Sequence, residues 1–174
     1  IFRENVVINR ATFKDGQTRI GNRNFFMEGV HVSHDTKIGD YCTFGYGTKV
    51  AGDCVISSGI MFSSSVIINP GVRVGGGSLI TSGVRISKDV PPFIVATHNP
   101  VAYGGLNVKL LESSGTPDNI ITHIANAYRL VFHGKTSTHD AIRQIKEQVP
   151  DSKEIRSIVK FLEGTQLGII TKTT

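Results

Sequence analysis

Two histidines three residues apart, His31 and His34, are followed directly by Asp35 in the segment HVSHDT. Neutral imidazole is the natural general base near neutral pH, so these side chains are candidates for moving a proton. Taken alone the pair is a weak signal, because a surface or packing role is more common for such a histidine. Acyl transfer also needs an N–H donor beside the base, where negative charge develops on a carbonyl oxygen.

A six-residue repeat, which runs from Arg19 to Val90, is the element that must position these residues. Its period fits neither the helical repeat of 3.6 nor simple alternation. Each hexad predicts a short strand that points one apolar residue inwards, then a sharp turn that needs a small residue. Stacked strands bury a core that no single repeat could bury. The apolar second places of the twelve hexads are Ile20, Phe26, Val32, Ile38, Phe44, Val50, Ile56, Phe62, Ile68, Val74, Ile80 and Ile86.

The hexads resemble those of hexapeptide acyltransferases, and this resemblance implies three hexads per triangular coil of a left-handed parallel β-helix. Twelve hexads then make four coils, with residues 18 apart in register. Gly52 is expected one coil above His34, where its N–H could face an oxyanion. Residues 11–18 are expected to form a loop ejected between coils. The alternative, an antiparallel sandwich, would need longer strands and no six-residue register.

The coils are expected to stop at Val90-Pro91-Pro92, since proline removes ladder donors. Residues 97–115 are expected to be an irregular connector. Thr116 resembles a helix N-cap with proline at the first helical position, and two more helices follow near 138–149 and after Ser152. We therefore predict an all-β left-handed parallel β-helix (1–96), a connector (97–115) and an α-helical C-terminal cap (116–174).

The composition limits which classes of partner and which cellular location are expected. The net charge is +5 and the pI is near 9.4, which favours an acidic partner, but the basic residues are spread singly, which disfavours nucleic acid. No apolar run is long enough for a membrane span and no signal-peptide pattern opens the chain, so a cytoplasmic location is expected. Cys42 and Cys54 are interpreted as reduced core residues.

Several longer segments resemble the bacterial UDP-N-acetylglucosamine 3-O-acyltransferase family, over almost the whole chain: INRAT, GVHVSHDTKIGDYC, SKDVPPFIV, GLN and NAYRLVF. Members of that family move a 3-hydroxyacyl group from acyl carrier protein to the sugar, as the first step of lipid A biosynthesis. The resemblance implies that His34 is the general base, that Asp35 orients it and that Gly52 supplies the oxyanion amide. It also implies a homotrimer with active sites between neighbouring subunits, and it implies no cofactor and no metal.

The same resemblance implies the remaining site positions. Substrate contacts are expected at Met27, His31, Asp53, Asn69 and Asn107, and acyl-chain contacts at Leu79 and Ser82. Some positions depart from the family. Asp53 stands where the family usually has histidine, Asn69-Pro70 where it has His-Gln, and Ser113-Ser114 where it has two arginines that engage nucleotide phosphate. Family members also carry further coils before the point where this sequence begins.

Three alternatives remain open at this stage. The first is a related acyl- or acetyltransferase that uses the same base and a different acceptor. The second is a γ-type carbonic anhydrase, which needs three histidines around zinc, whereas only His31 and His34 lie within the coils. The third is an inert scaffold.

Overall fold

The computed structural model describes residues 1–134 and 136–172. From β1 to β13 the chain winds into a three-faced parallel β-helix of two-residue strands. Face 1 carries β1 (Val7–Ile8), β4 (His31–Val32), β7 (Lys49–Val50), β10 (Ile67–Ile68) and β13 (Arg85–Ile86). Face 2 carries β2 (Arg19–Ile20), β5 (Lys37–Ile38), β8 (Val55–Ile56) and β11 (Arg73–Val74). Face 3 begins with β3 (Phe25–Phe26), β6 (Thr43–Phe44), β9 (Met61–Phe62) and β12 (Leu79–Ile80).

Strand register confirms the eighteen-residue coil. His31 pairs with Lys49, and Lys37 pairs with Val55, each in parallel register. The one longer step on face 1 pairs Val7 with His31. That step contains six extra residues, which form the ejected loop predicted over 11–18.

The interior of the coils is built from the second and sixth places of the hexads. All twelve second-place residues except Ile20 are buried. Phe2, Phe26, Phe44 and Phe62 stack with ring centroids 4.7–4.9 Å apart. Buried polar residues at the sixth place donate to backbone carbonyls, as Thr36 does to Ala51 at 2.9 Å, so no buried hydroxyl there lacks a partner.

The sharp turn falls at the fifth place of the hexads, in every hexad but the last, and not at the small third place, which corrects the expectation from the sequence. Residues from Arg23 to Gly83 at the fifth place have φ between 56° and 72°. The third place is small for a different reason. A Cβ on Gly45 would lie 2.6–2.8 Å from the backbone of residues 62–64 in the next coil. The third place is therefore constrained by close packing between coils.

The connector predicted to be irregular has regular structure, so that expectation is wrong. Face 3 continues past the prolines with β14 (Ile94–Thr97), which pairs in parallel with β12. The chain then reverses into β15 (Ala102–Leu106), antiparallel to β14, and α1 (Val108–Ser113) follows. Because β15 lies after the last hexad and pairs antiparallel with β14, the six-residue period does not reveal it.

The helical cap contains α2 (Asp118–His133), α3 (Thr138–Gln148) and α4 (Lys153–Glu163). The N-cap of α2 is Pro117 and not Thr116, one residue later than predicted. The helix α4 begins after Ser152 as predicted, and Ser152 is its N-cap. Tyr128 is fully buried and donates to the Pro92 carbonyl at 2.6 Å, which seats the cap on the last coil. Among the described residues, no helix has the length and apolarity needed to cross a membrane.

Asp89 joins the last coil to the C-terminal segment, where β16 (Thr171–Lys172) adds to β15. Its side chain is 1% exposed and accepts from the Arg73 N–H at 2.8 Å and from the Thr165 hydroxyl at 2.7 Å. Its backbone exchanges hydrogen bonds with Gly168 and Ile170. One residue therefore holds two chain segments together.

We expect Asp89→Ala to lower the free energy of unfolding by about 1–3 kcal/mol, because the buried donors that it leaves lose their acceptor. Urea denaturation followed by circular dichroism measures the change. Asp151→Ala is the matched control, since it removes an exposed carboxylate from a surface ion pair of small expected value. Equal losses in the two variants would contradict the linking role of Asp89.

Candidate active site

The turns between face 1 and face 2 bring the chemically interesting residues together. They comprise residues 33–36, 51–54 and 69–72, stacked one above another, and we call them the base corner. The connection between β1 and β2, residues 9–18, lies at the same corner, one coil below, and it contains the ejected loop. His34, Asp35, Gly52, Asp53 and Asn69 all lie at the base corner, as the predicted register requires.

The His34 ring is hydrogen-bonded to the neighbouring carboxylate, with 3.0 Å between His34 Nδ1 and Asp35 Oδ2. With Nδ1 donating to Asp35, Nε2 carries the lone pair and faces away from the aspartate. Asp35 occupies a fifth place with φ of 57°, and this left-handed turn directs its side chain back towards the histidine. The arrangement is an oriented imidazole base.

Asp35 is itself held by the ejected loop. Its Oδ2 accepts from the Thr12 hydroxyl at 2.7 Å and from the Thr12 N–H at 3.1 Å. These hydrogen bonds lower the pKa of Asp35, with the Thr12 hydroxyl as the largest cause and the His34 ring as a smaller one. Asp35 therefore stays charged near neutral pH and can accept a hydrogen bond from the His34 Nδ1–H.

Gly52 lies directly against the His34 ring. A Cβ on Gly52 would come within 2.5 Å of His34 Cε1 and 2.7 Å of Nε2, so any side chain there would displace the imidazole. Gly52 is buried, its carbonyl accepts from Gly71, and in the described part of the chain its N–H donates to no partner. An unused amide donor thus sits beside the free ring nitrogen, as expected from the stacking of residues 34 and 52.

Other residues complete the surroundings of the base. The Asp53 N–H donates to the His34 carbonyl at 3.1 Å, while its side chain is exposed. On face 1, His31 Nε2 lies 2.6 Å from Asn9 Oδ1. Asn69 accepts from Arg85 Nε at 3.2 Å. A cleft of about 340 Å³ opens between the loop and the corner, and it is lined by Phe13, Asp15, Gly16, Gln17, Asp35, Lys37 and Asp53.

Within residues 1–134 and 136–172, one group of side chains could converge on a metal ion: His34, Asp35 and Asp53, with ligand atoms within 4.8 Å of one another. It offers one nitrogen and two carboxylates, not the three histidines that a γ-type carbonic anhydrase requires. The Asp35 oxygen nearest the histidine already accepts three hydrogen bonds. This corner therefore favours base chemistry over the metal alternative.

The remaining predicted site residues lie elsewhere on the triangle. Met27 and Ser82 are in the turns between face 3 and face 1, and Leu79 is in β12 on face 3. Asn107 donates to the Gly77 carbonyl at 3.0 Å, beside the turns between face 2 and face 3. Within a single chain, therefore, His34 lies at the base corner, and these four residues lie away from that corner.

Reasoning from the sequence missed Thr12, Thr18 and Asn9. Thr18 accepts the Asp35 N–H at 2.9 Å through its hydroxyl. All three lie between β1 and β2, in or just before the ejected loop. The six-residue register is interrupted there, so it cannot predict which residues of the next coil they contact. The only signal was the segment INRAT, which contains Asn9 and Thr12.

A larger cleft, about 730 Å³, lies between α3 and α4 in the cap, with Ile142 and Leu162 on its apolar floor and Lys146 bonded to Glu163 at its rim. Its one histidine, His139, makes no hydrogen bond to a carboxylate within the part of the chain that the structure describes. We therefore place the candidate active site at the base corner and not in the cap.

Comparison with known proteins agrees with this geometry. Residues 89–170 match the family described as "Udp N-acetylglucosamine O-acyltransferase; Domain 2", and residues 17–52 match the bacterial transferase hexapeptide family. An acyl-[acyl-carrier-protein]–UDP-N-acetylglucosamine O-acyltransferase from Fusobacterium nucleatum is 49% identical over 93% of this chain and 63% of its own length. One of the same name from Sulfurihydrogenibium is 48% identical over 97% of this chain and 63% of its own.

A solved UDP-N-acetylglucosamine acyltransferase from Bacteroides fragilis superposes with a TM-score of 0.89, at 33% identity over 97% of this chain and 78% of that one. The solved relatives are left-handed β-helices, which confirms the predicted fold and its hand. The chain spans 63% of the length of the first two curated relatives that it matches. Fold, repeat and relatives agree that the chain belongs to the UDP-N-acetylglucosamine O-acyltransferase family.

Proposed function

We propose that this protein transfers a 3-hydroxyacyl group from acyl carrier protein to the 3-hydroxyl of UDP-N-acetylglucosamine, the first step of lipid A biosynthesis. The observation that carries the proposal is the oriented His34 base beside the unused Gly52 N–H. The names of the relatives supply the donor and the acceptor. A cytoplasmic location stays a prediction.

The mechanism that this geometry supports is direct transfer. His34 Nε2 takes the proton from the acceptor hydroxyl while its oxygen attacks the thioester carbonyl. The Gly52 N–H donates to the tetrahedral oxyanion. As the intermediate collapses, the ester bond remains, the C–S bond breaks and the proton on His34 passes to the leaving sulfur. Asp35 stays charged throughout and stabilises the imidazolium.

A related acyltransferase with a different acceptor remains the second candidate, because the departures from the family lie on the acceptor side. Incubation with acyl carrier protein thioesters and a panel of nucleotide sugars, with products identified by mass spectrometry, separates the two. Transfer only to another sugar would favour the second candidate. No transfer to any acceptor would favour an inert scaffold.

We expect His34→Ala to lower turnover by about 10²–10⁴-fold, because that is the usual cost of losing a general base. The fold should persist, since the side chain lies in a surface turn and is 42% exposed. His139→Ala, an exposed histidine of α3, is the matched control and should keep full activity. Turnover of His34→Ala equal to that of the control would remove His34 from the mechanism.

We also propose a homotrimer in which a neighbouring copy completes each site. The support is the placement of Met27, Leu79, Ser82 and Asn107 away from the base corner of their own chain. In a closed ring, another vertex of the next triangle can face the base. Acceptor and acyl chain would then be held between a base corner and its neighbour.

Subunit complementation tests this arrangement. His34→Ala and Asn107→Ala chains should each be inactive as pure assemblies, but each mixed trimer should contain one intact interface. A random one-to-one mixture should therefore recover about a quarter of the wild-type activity. Light scattering should give a mass of about three chains of 18.8 kDa. A stable monomer at micromolar concentration, or an inactive mixture of correct mass, would contradict the shared site.

The two serines at the proposed phosphate-binding positions, Ser113 and Ser114, predict weak binding of the nucleotide sugar. Ser113 Oγ donates to the Leu110 carbonyl at 3.0 Å, and Ser114 Oγ donates to Leu111 at 2.8 Å, so both hydroxyls are committed to α1. Neither can replace the planar, charged donors of an arginine. Glu112 beside them adds a repelling charge.

We expect Ser113→Arg to tighten UDP-N-acetylglucosamine binding by about tenfold or more, since one charge-assisted hydrogen bond contributes about 1.5–3 kcal/mol. Isothermal titration calorimetry gives the Kd. Thr122→Arg, which adds the same charge on α2, is the control. Tight wild-type binding that Ser113→Arg leaves unchanged would show that the phosphates bind elsewhere.

A further inference from the structure

A repeated hydrogen bond joins consecutive coils at every regular corner. The N–H of the fifth-place residue donates to the carbonyl 19 residues earlier, as Asp53 does to His34, Gly71 to Gly52 and Tyr41 to Asn22. The positive φ of the fifth place turns the N–H towards the coil below. The bond therefore fixes the backbone of each turn against its neighbour.

Asp35 departs from this rule. The residue 19 places before it is Gly16, within the ejected loop, and the Asp35 N–H donates instead to the Thr18 hydroxyl at 2.9 Å. The loop closes its own turn from the Gly16 N–H to the Phe13 carbonyl and presses Gly16 against Asp35 Oδ1, where a Cβ would come within 2.5 Å. Two threonines thus replace the missing inter-coil contact.

We propose that Thr12 is a positioning residue for the base, a role that rests on the proposed function of His34. Its hydroxyl and N–H bind the same oxygen, Asp35 Oδ2, that accepts from His34 Nδ1. That oxygen is fixed from the loop side, so the imidazole is held in the tautomer whose Nε2 is free. The ejected loop therefore takes the place of the regular turn beneath the base and supports it through Thr12.

The charges around the dyad make the hydroxyl necessary. His34 and Asp53 lie within 4.8 Å of the Asp35 carboxylate, and Asp15 and Lys37 line the adjoining cleft. Asp53 and Asp15 repel the carboxylate, while Lys37 can draw it away from His34. A neutral donor at 2.7 Å holds the carboxylate in place without adding a charge that would compete for it. Thr12 itself is exposed, so substitutions there are expected to fold.

The test uses Thr12→Val, which keeps the shape and the backbone N–H, and Thr12→Ser, which restores the hydroxyl. Nitrogen-15 NMR of the free protein reports the His34 tautomer without any substrate. We expect the Nδ1–H form in the wild type and in Thr12→Ser, and a mixture of both tautomers in Thr12→Val. In turnover assays kcat of Thr12→Val should fall about 10–100-fold, the size expected for a hydrogen bond to a charged group, with KM within about twofold.

Thr48→Val is the matched control, because the Thr48 hydroxyl donates to the Ser63 carbonyl at another corner of the same coil. It should leave the tautomer and kcat unchanged. An unchanged tautomer and kcat in Thr12→Val would overturn the proposal, as would equal effects in Thr48→Val. If no variant and no wild-type protein transfers an acyl group, the proposed function fails, and the NMR result still decides whether Thr12 positions the ring.

Discussion

The hydrogen bond between consecutive coils, donated by the N–H of the fifth-place residue at the regular corners, is the interaction on which the other features depend. It requires a positive φ at that place, which costs a non-glycine residue conformational energy, yet Tyr41, Asp53 and Ser65 all adopt it. Each donated N–H holds the next turn in fixed register. The register in turn stacks Gly52 on His34, so one backbone constraint determines the geometry of the candidate site.

A glycine allows close packing between coils both where the packing is only structural and at the candidate site. At Gly45 a missing side chain lets the backbone of the next coil approach, and the result is only a tighter stack. At Gly52 the missing side chain makes room for an imidazole instead, and the N–H of this buried residue has no partner among the described residues. A buried donor left unpaired is unfavourable, and such a donor is useful where an oxyanion will form.

The sequence revealed most of the fold because its information is local and repeated. Twelve apolar second places predicted the coils, and the helix predicted to follow Ser152 is present as α4 (Lys153–Glu163). The strand β15 was missed because it depends on pairing with β14, and no periodicity marks it. Thr12 was missed for a similar reason: it contacts Asp35 across 23 residues through a loop that has no repeat. The positions of His34 and Gly52 followed from the period of eighteen residues, whereas the support beneath them did not.

The proposed base and the proposed acceptor positions are constrained unequally by the fold, and the chain departs from its family at the less constrained ones. Residues at the base also have structural tasks: Asp35 forms the turn, and Gly52 must lack a side chain. At the proposed acceptor positions, the Asp53 side chain is exposed, and the Ser113 hydroxyl bonds to the Leu110 carbonyl within its own short helix. A substitution at such positions changes recognition without changing the fold. For that reason the repeat predicts the position of the base. The choice of acceptor depends instead on exposed side chains that can vary without changing the fold.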